Sequence, residues 1–212
     1  MSTILHLSPL YAEEAWAPPS SLAVDLTGIE GTSCYCSPEA EEAIRSKLAP
    51  LPQNGLFWID TGDYHYVSKL RAELILEPFV LALFDNHPDD QPGAFGSGLL
   101  SCGAWVQAAR DGVGLMKADY LNTSLIPSEL PVFLSIDLDV LSPAFARTDW
   151  DQGTMTLDEL LAHAGRIATE HRVLGIDVCG GITAAKGATA EDRRINAGTR
   201  AVLESRLGGL FL

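Results

Sequence analysis

Two short runs place acids and imidazoles at spacings that suit a metal ion. One is Phe84-Asp85-Asn86-His87-Pro88-Asp89-Asp90 and the other is Ser135-Ile136-Asp137-Leu138-Asp139. In extended backbone alternate side chains share a face, so Asp85, His87 and Asp89 are expected to point one way. Asp137 and Asp139 share a face for the same reason. The first run follows 79–84, apolar with almost no alternation, as in a strand buried on both faces. Pro88 has no amide hydrogen for a ladder, which ends that strand. By itself a D-x-H-x-D run also fits an acidic surface turn. The second hydrophobic strand running into same-face acids tips the balance, because such acids are costly to bury unless a cation neutralises them.

A third strand end is supplied by Phe57-Trp58-Ile59-Asp60, which runs into Thr61-Gly62-Asp63-Tyr64-His65-Tyr66 and offers His65. The candidate ligands are then His65, Asp85, His87, Asp89, Asp137 and Asp139, two imidazoles and four carboxylates. An oxygen-rich set with some imidazole suits manganese better than zinc or copper. Four aspartates balance two divalent ions. The mouth of a central strand is also where open α/β sheets place their ligands.

Together the three runs resemble the arginase/agmatinase/formiminoglutamase (ureohydrolase) family. Gly62-Asp63-Tyr64-His65 stands for its G-D-H-type motif and Asp85-Asn86-His87-Pro88-Asp89 for D-x-H-x-D. Ser135 to Asp139, with Pro143 in the loop that follows, stands for S-x-D-x-D. The likeness spans roughly 56–177 in family order, in a chain short for that family. The resemblance implies a short divergent member with an arginase-like fold and two divalent ions, Mn2+ being favoured. Asp85 and Asp137 would each bridge both ions, His65 and Asp89 would complete one position, and His87 and Asp139 the other. It further implies a dinuclear hydrolase that cleaves a linear C–N bond of a small amidine, guanidino compound or amide through a metal-bridging hydroxide. Asp89 would hold that hydroxide and accept its proton.

Departures from the family pattern concern recognition and proton transfer. In Asp177-Val178-Cys179-Gly180-Gly181 a glycine, Gly180, stands where the family has a guanidinium-gripping glutamate. Cys102-Gly103 replaces a histidine–glycine pair, which makes Cys102 a candidate proton donor. The loop Arg147-Thr148-Asp149-Trp150-Asp151-Gln152-Gly153-Thr154 replaces a glycine–threonine loop and offers Asp149 and Asp151 for substrate contact. Arginine and agmatine are therefore not the expected substrates. Two rival readings stand beside this one. A metal-dependent deacetylase-like amidohydrolase normally keeps one catalytic metal and a histidine pair that this chain lacks. A non-catalytic metal-binding relative would keep the cluster without turnover.

The remaining elements must position these residues. Strands are expected at 3–7, 22–26, 114–120 and 173–178 besides the three above. Helices are expected from the Ser37 cap to Leu48, at 67–76, 105–110 and 156–170, and from Thr189 onward with Ile195, Thr199, Val202 and Leu203 inward. The stretch between the first two strands, 28–37 and 91–103 read as loop. Strands alternating with helices predict an α/β fold of three layers, a doubly wound, mostly parallel sheet in a single domain over 1–212. His6, His163 and His171 read as ordinary surface or helix residues, Tyr64 and Tyr66 as packing. Cys34 and Cys36 also read as packing, and Cys179 as a small apolar side chain. The 212 residues carry a net charge of −14, which disfavours nucleic acid and anionic membranes as partners. Expected instead are a small-molecule substrate and room for a homo-oligomer. Four cysteines without C-x-x-C, no signal-like start and no membrane-length apolar run predict a cytoplasmic protein.

Overall fold

The computed structural model describes residues 2–18, 20–92, 99–113, 116–119 and 126–211. Seven strands form one sheet: β1 (Ser2–His6), β2 (Leu22–Asp25), β4 (Leu56–Ile59), β5 (Val80–Phe84), β7 (Met116–Asp119), β8 (Val132–Asp137) and β9 (Val173–Cys179). Their order is β2-β1-β4-β9-β8-β5-β7, and every neighbouring pair is parallel. After β4 the chain leaves that strand's edge and returns as β5. The gap is later filled by β8 and β9, so the four strand ends stand side by side. Such a reversal of strand order opens a crevice at the C-terminal ends of parallel strands. A separate antiparallel pair, β3 (Tyr35–Cys36) with β6 (Leu100–Ser101), lies in stretches expected to be loop.

Side-chain alternation along the strands sends neighbours to opposite faces and so builds two cores. Ile4, Trp58, Ala82, Phe84, Leu134 and Val178 pack with α5 (Leu157–Glu170) and α6 (Ala190–Leu207). Leu5, Phe57, Ile59, Leu81, Phe133 and Cys179 pack with α2 (Pro38–Leu48), α3 (Val67–Ala72) and α4 (Trp105–Val113). The result is the three-layer, doubly wound sheet that the sequence predicts. Both central strands are buried along their whole length, which is why β5 and β8 read as unbroken apolar runs.

Helix starts follow the expected chemistry. Ser37 caps α2 through Ala40 N, with Pro38 in the first turn, and Thr156 with Glu159 closes a capping box on α5. Thr189 and Asp192 form a second box on α6. Three expectations need correction. The helix at 67–76 ends at Ala72, after which Leu74 and Ile75 turn back through bonds to Arg71 and Ala72 carbonyls. Val202 does not point inward; it is 40% exposed, and the buried line on α6 runs through Asn196, Thr199, Arg200, Leu203 and Leu207. The stretch before β2 contains a short helix, α1 (Leu10–Glu13), held by the buried Leu10 and Tyr11. Gly93, Gly96, Gly98, Gly114 and Tyr120 lie outside the described residues. Among the described residues, no helix is long and apolar enough to cross a membrane.

Candidate metal centre

The adjacent ends of β5 and β8 and a turn after β4 assemble the site. β5 delivers Asp85, His87 and Asp89 just beyond its last residue. They converge without staying extended: Asp89 takes a positive φ of 48°. β8 delivers Asp137 as its last residue. Asp137 Oδ1 then accepts the Asp139 N–H at 2.9 Å and caps a short 3-10 turn, Leu138–Val140, that brings Asp139 alongside. Asp139 Oδ1 accepts the Asn86 N–H at 3.0 Å, tying the two strand ends together. After β4 a 3-10 turn, Gly62–Tyr64, carries the chain to His65. Gly62 keeps that turn close to the site: a methyl group in its place would stand 3.0 Å from both Asp137 Oδ2 and Trp150 Cδ1, and one of those side chains would have to shift.

The central observation concerns His65. Its Nε2 pairs with Ser135 Oγ at 2.8 Å, which holds that side of the ring. Its Nδ1 faces Asp89 Oδ2 at 3.0 Å, Asp85 Oδ2 at 3.2 Å and Asp137 Oδ2 at 3.6 Å. Nδ1 is nevertheless buried without a hydrogen bond, and so is Asp85 Oδ2. A ring nitrogen and carboxylate oxygens aimed at one point in a buried site, with the opposite ring nitrogen held by a partner, is what a metal-binding histidine needs. A second cluster lies beside it. His87 Nδ1 is 2.8 Å from Asp139 Oδ2 and 3.6 Å from Asp85 Oδ1. Asp85 thus stands between both groups of donors, and the donor set fits two divalent ions.

Without metal, protons must balance the acids. Burial, with Asp137 and Asp85 close by, pushes the Asp139 carboxyl up to about 9, and burial pushes Asp89 to about 6. Burial and the Asp85 charge also raise Asp137. The bond to Asp85 and the charge of Asp139 raise His87 to about 9. Burial opposes ionisation of Asp85 as well, but the nearby imidazoles of His65 and His87 and the His87 N–H donated to Asp85 Oδ1 at 2.6 Å outweigh it and hold this carboxyl well below the usual range.

Over the centre lies a cleft of about 180 Å3, walled by Gly62, Pro88, Cys102, Gly103 and Trp150 with the acids and imidazoles at its floor. Cys102 is brought there by the β3–β6 pair and by its N–H bond to the Cys34 carbonyl at 3.0 Å. Burial pushes its thiol up to about 12, so it keeps its proton. Asp149 and Asp151 are not among the wall residues. Asp149 turns to Lys186 at 3.1 Å, and Asp151 is exposed, its carbonyl accepting the Asn86 side-chain N–H at 2.9 Å. The residue of that loop reaching the cleft is the one between them, Trp150. Its Nε1 donates to Asp63 Oδ1 at 3.2 Å, and its ring stands 6.0 Å from His87.

Comparison with solved structures fixes the fold. Proclavaminate amidino hydrolase from Streptomyces clavuligerus superposes with a TM-score of 0.64 at 16% identity, over 91% of this chain and 76% of that one. Arginase from Bacillus caldovelox gives 0.63 at 13%, over 99% and 97%. Formimidoylglutamase from Bacillus subtilis gives 0.61 at 13%, over 98% and 86%. The chain has the ureohydrolase-family fold. Within that fold it belongs to one family with an uncharacterized protein of Thermotoga maritima, 30% identical over 197 residues that cover 84% of this chain and 78% of the other. No family model matches the sequence.

Sequence reasoning left four functional neighbours of this ureohydrolase-fold centre without a role. Ser135 orients His65, and Trp105 Nε1 donates to Asp89 Oδ2 at 2.6 Å. Lys186 pairs Asp149 and stands 3.5 Å from Asp63. Cys179 is not merely a small apolar side chain: its Sγ lies 3.1 Å from Asp137 Oδ2. The serine of S-x-D-x-D was a legible signal. The others come from a helix, a 3-10 turn and the end of β9, all remote in sequence from what they touch.

Proposed function

We propose that this chain is a metal-dependent hydrolase of a linear carbon–nitrogen bond in a small amide, amidine or guanidino compound, other than arginine or agmatine. Two divalent ions, manganese in the first instance, would be held by His65, Asp85, His87, Asp89, Asp137 and Asp139. The observation that carries this reading is the pair of buried, unbonded atoms His65 Nδ1 and Asp85 Oδ2, 3.2 Å apart. Bound ions of this kind supply Lewis acidity and water that ionises near neutral pH.

The chain's own residues would do the rest. Asp89 is fixed by the Trp105 N–H and takes a proton at its carboxylate, its ordinary value already shifted to about 6. Trp150 and Pro88 shield the reacting carbon from bulk water. Cys102, a thiol with its proton retained, shapes the wall beside Gly103 and is a weak donor to a leaving amine. Selectivity follows from charge. Asp63 and Asp149 both face Lys186, so the mouth offers a guanidinium no uncommitted carboxylate among these residues. The cleft's small volume and apolar wall favour compact substrates of low charge.

The experiment is a metal titration followed by a substrate screen. Metal-free protein should take up close to two equivalents of manganese, and Asp137→Ala should bind neither ion tightly. Ammonia or amine release from a panel of small amides and amidines should depend on added metal. A stoichiometry of zero or one at saturating metal would defeat the two-ion reading. Two bound ions with no turnover of any panel member would favour the non-catalytic relative.

A further inference from the structure

Cys179 ends β9, and the parallel register pairs it with Asp137 at the end of β8 and with Ile59 at the end of β4. Its thiol is 1% exposed and lies on the α2–α4 face of the sheet with Trp105, whose ring stands 4.9 Å from that of His65. Sγ stands 3.1 Å from Asp137 Oδ2, the same oxygen that is 3.6 Å from His65 Nδ1. One donor atom from each of His65, Asp137 and Cys179 lies within 4.8 Å of the others. All three side chains are buried, and His65 Nδ1 lacks a hydrogen-bond partner. A nitrogen, an oxygen and a sulfur converging on a dry point is a mixed donor set, unlike the oxygen-rich His87, Asp85 and Asp139 group on the other side.

Given the metal-binding reading proposed above, we infer that Cys179 is itself a metal ligand and that the two halves of the centre take different ions. The His65 half, where the Cys179 thiol would give up its proton on binding metal, suits a borderline-soft divalent ion such as zinc, cobalt or ferrous iron. The His87 half, with carboxylates and one imidazole, suits manganese. The rival role for Cys179 is a thiol that only donates a hydrogen bond to Asp137 and orients it. The two roles differ in whether sulfur enters the inner coordination sphere.

Cobalt reports that directly. Metal-free protein titrated with Co2+ should develop visible d–d bands together with a near-ultraviolet sulfur-to-cobalt charge-transfer band. Cys179→Ser should keep the visible bands and lose the near-ultraviolet one, while Cys102→Ala should keep both. X-ray absorption at the zinc edge of the zinc-loaded wild-type protein should show a sulfur neighbour at about 2.3 Å. Cys179→Ser should weaken zinc by more than the about 10–100-fold typical of partners outside the inner sphere, with manganese changing less. The wild-type spectra decide the matter even if a variant fails to fold. Cobalt bound with nitrogen and oxygen neighbours only would overturn the ligand role of Cys179 and leave the metal site standing. A charge-transfer band lost in Cys102→Ala would overturn it too. No uptake of cobalt, zinc or manganese would overturn both this inference and the metal-dependent function.

Discussion

Gly180 packs directly against Asp137. A methyl group at position 180 would stand 2.6 Å from Asp137 Oδ1 and 2.8 Å from Leu138 N, and the backbone there has φ +101°. The segment cannot easily move aside, because its N–H donates to the Asp60 carbonyl at 3.0 Å and its carbonyl accepts from Arg200 Nη2 at 2.5 Å. Gly180→Ala is therefore expected to lower stability by roughly 1–3 kcal/mol through strain at that φ. It should also displace Asp137 and weaken metal uptake. Urea denaturation and manganese titration of the variant measure both effects; unchanged values would show that position 180 tolerates a side chain.

The same contact bears on substrate choice. A glutamate placed at 180 would have to push through Asp137, so the guanidinium grip cannot be restored by one substitution. Urea release from arginine and agmatine by the manganese-loaded protein should be negligible, and Gly180→Glu should not create it. A charge-assisted hydrogen bond of the missing kind contributes about 1.5–3 kcal/mol. Urea formation by the wild-type protein at rates comparable to its best amide substrate would contradict the recognition argument.

Outer contacts should matter for the metal without touching it. Trp105 donates to Asp89 Oδ2 at 2.6 Å, and Ser135 Oγ meets His65 Nε2 at 2.8 Å. Trp105→Phe and Ser135→Ala are each expected to cost about 10–100-fold in metal affinity. Competition titration against a chelator gives the number. Affinities within a factor of two of wild type would mean that the ligands hold their orientation unaided.

Stability and metal affinity should respond to pH in opposite directions. Asp139 and Asp89 are raised from 3.8 to about 9 and about 6, and His87 from 6.5 to about 9. Between the ordinary values and the raised ones, the metal-free folded chain holds protons that the unfolded chain has released. Its stability contribution from these groups is complete below the ordinary values and is lost as pH rises through the raised ones. Asp85, held low, acts the other way and only in acid, below about 3.8. Metal ions need the same ligands deprotonated, so affinity should climb over the same window. Thermal unfolding of metal-free protein should therefore shift down between pH 6 and pH 9, while the increase in Tm caused by manganese grows. A manganese effect that is flat in pH would argue against ligation by these groups.

The sequence by itself carried the sheet and the acids. Phe79 to Phe84 and Val132 to Ile136 are apolar at every or nearly every position because both faces of β5 and β8 are covered, and that constraint is local enough to read directly. The six ligand candidates were legible for a related reason: each sits within a few residues of a strand end, where short-range geometry dictates direction. The capping boxes at Thr156 and Thr189 are likewise contacts over three residues.

Only the tertiary structure decided what meets the cluster from afar. Trp105 lies 16 residues from Asp89, and Cys179 lies 42 from the Asp137 it touches. Their approach is set by strand order and register, which leave no periodic mark in the chain. The loop at 147–154 shows the limit most plainly. Its two acids invited a binding role, yet a lysine 37 residues from Asp149 turns Asp149 aside, and the tryptophan between them faces the cleft. Residue types near a strand end are fixed by local burial and charge. Which of them are left free for chemistry depends on long-range pairing, and that is settled only when the whole sheet closes.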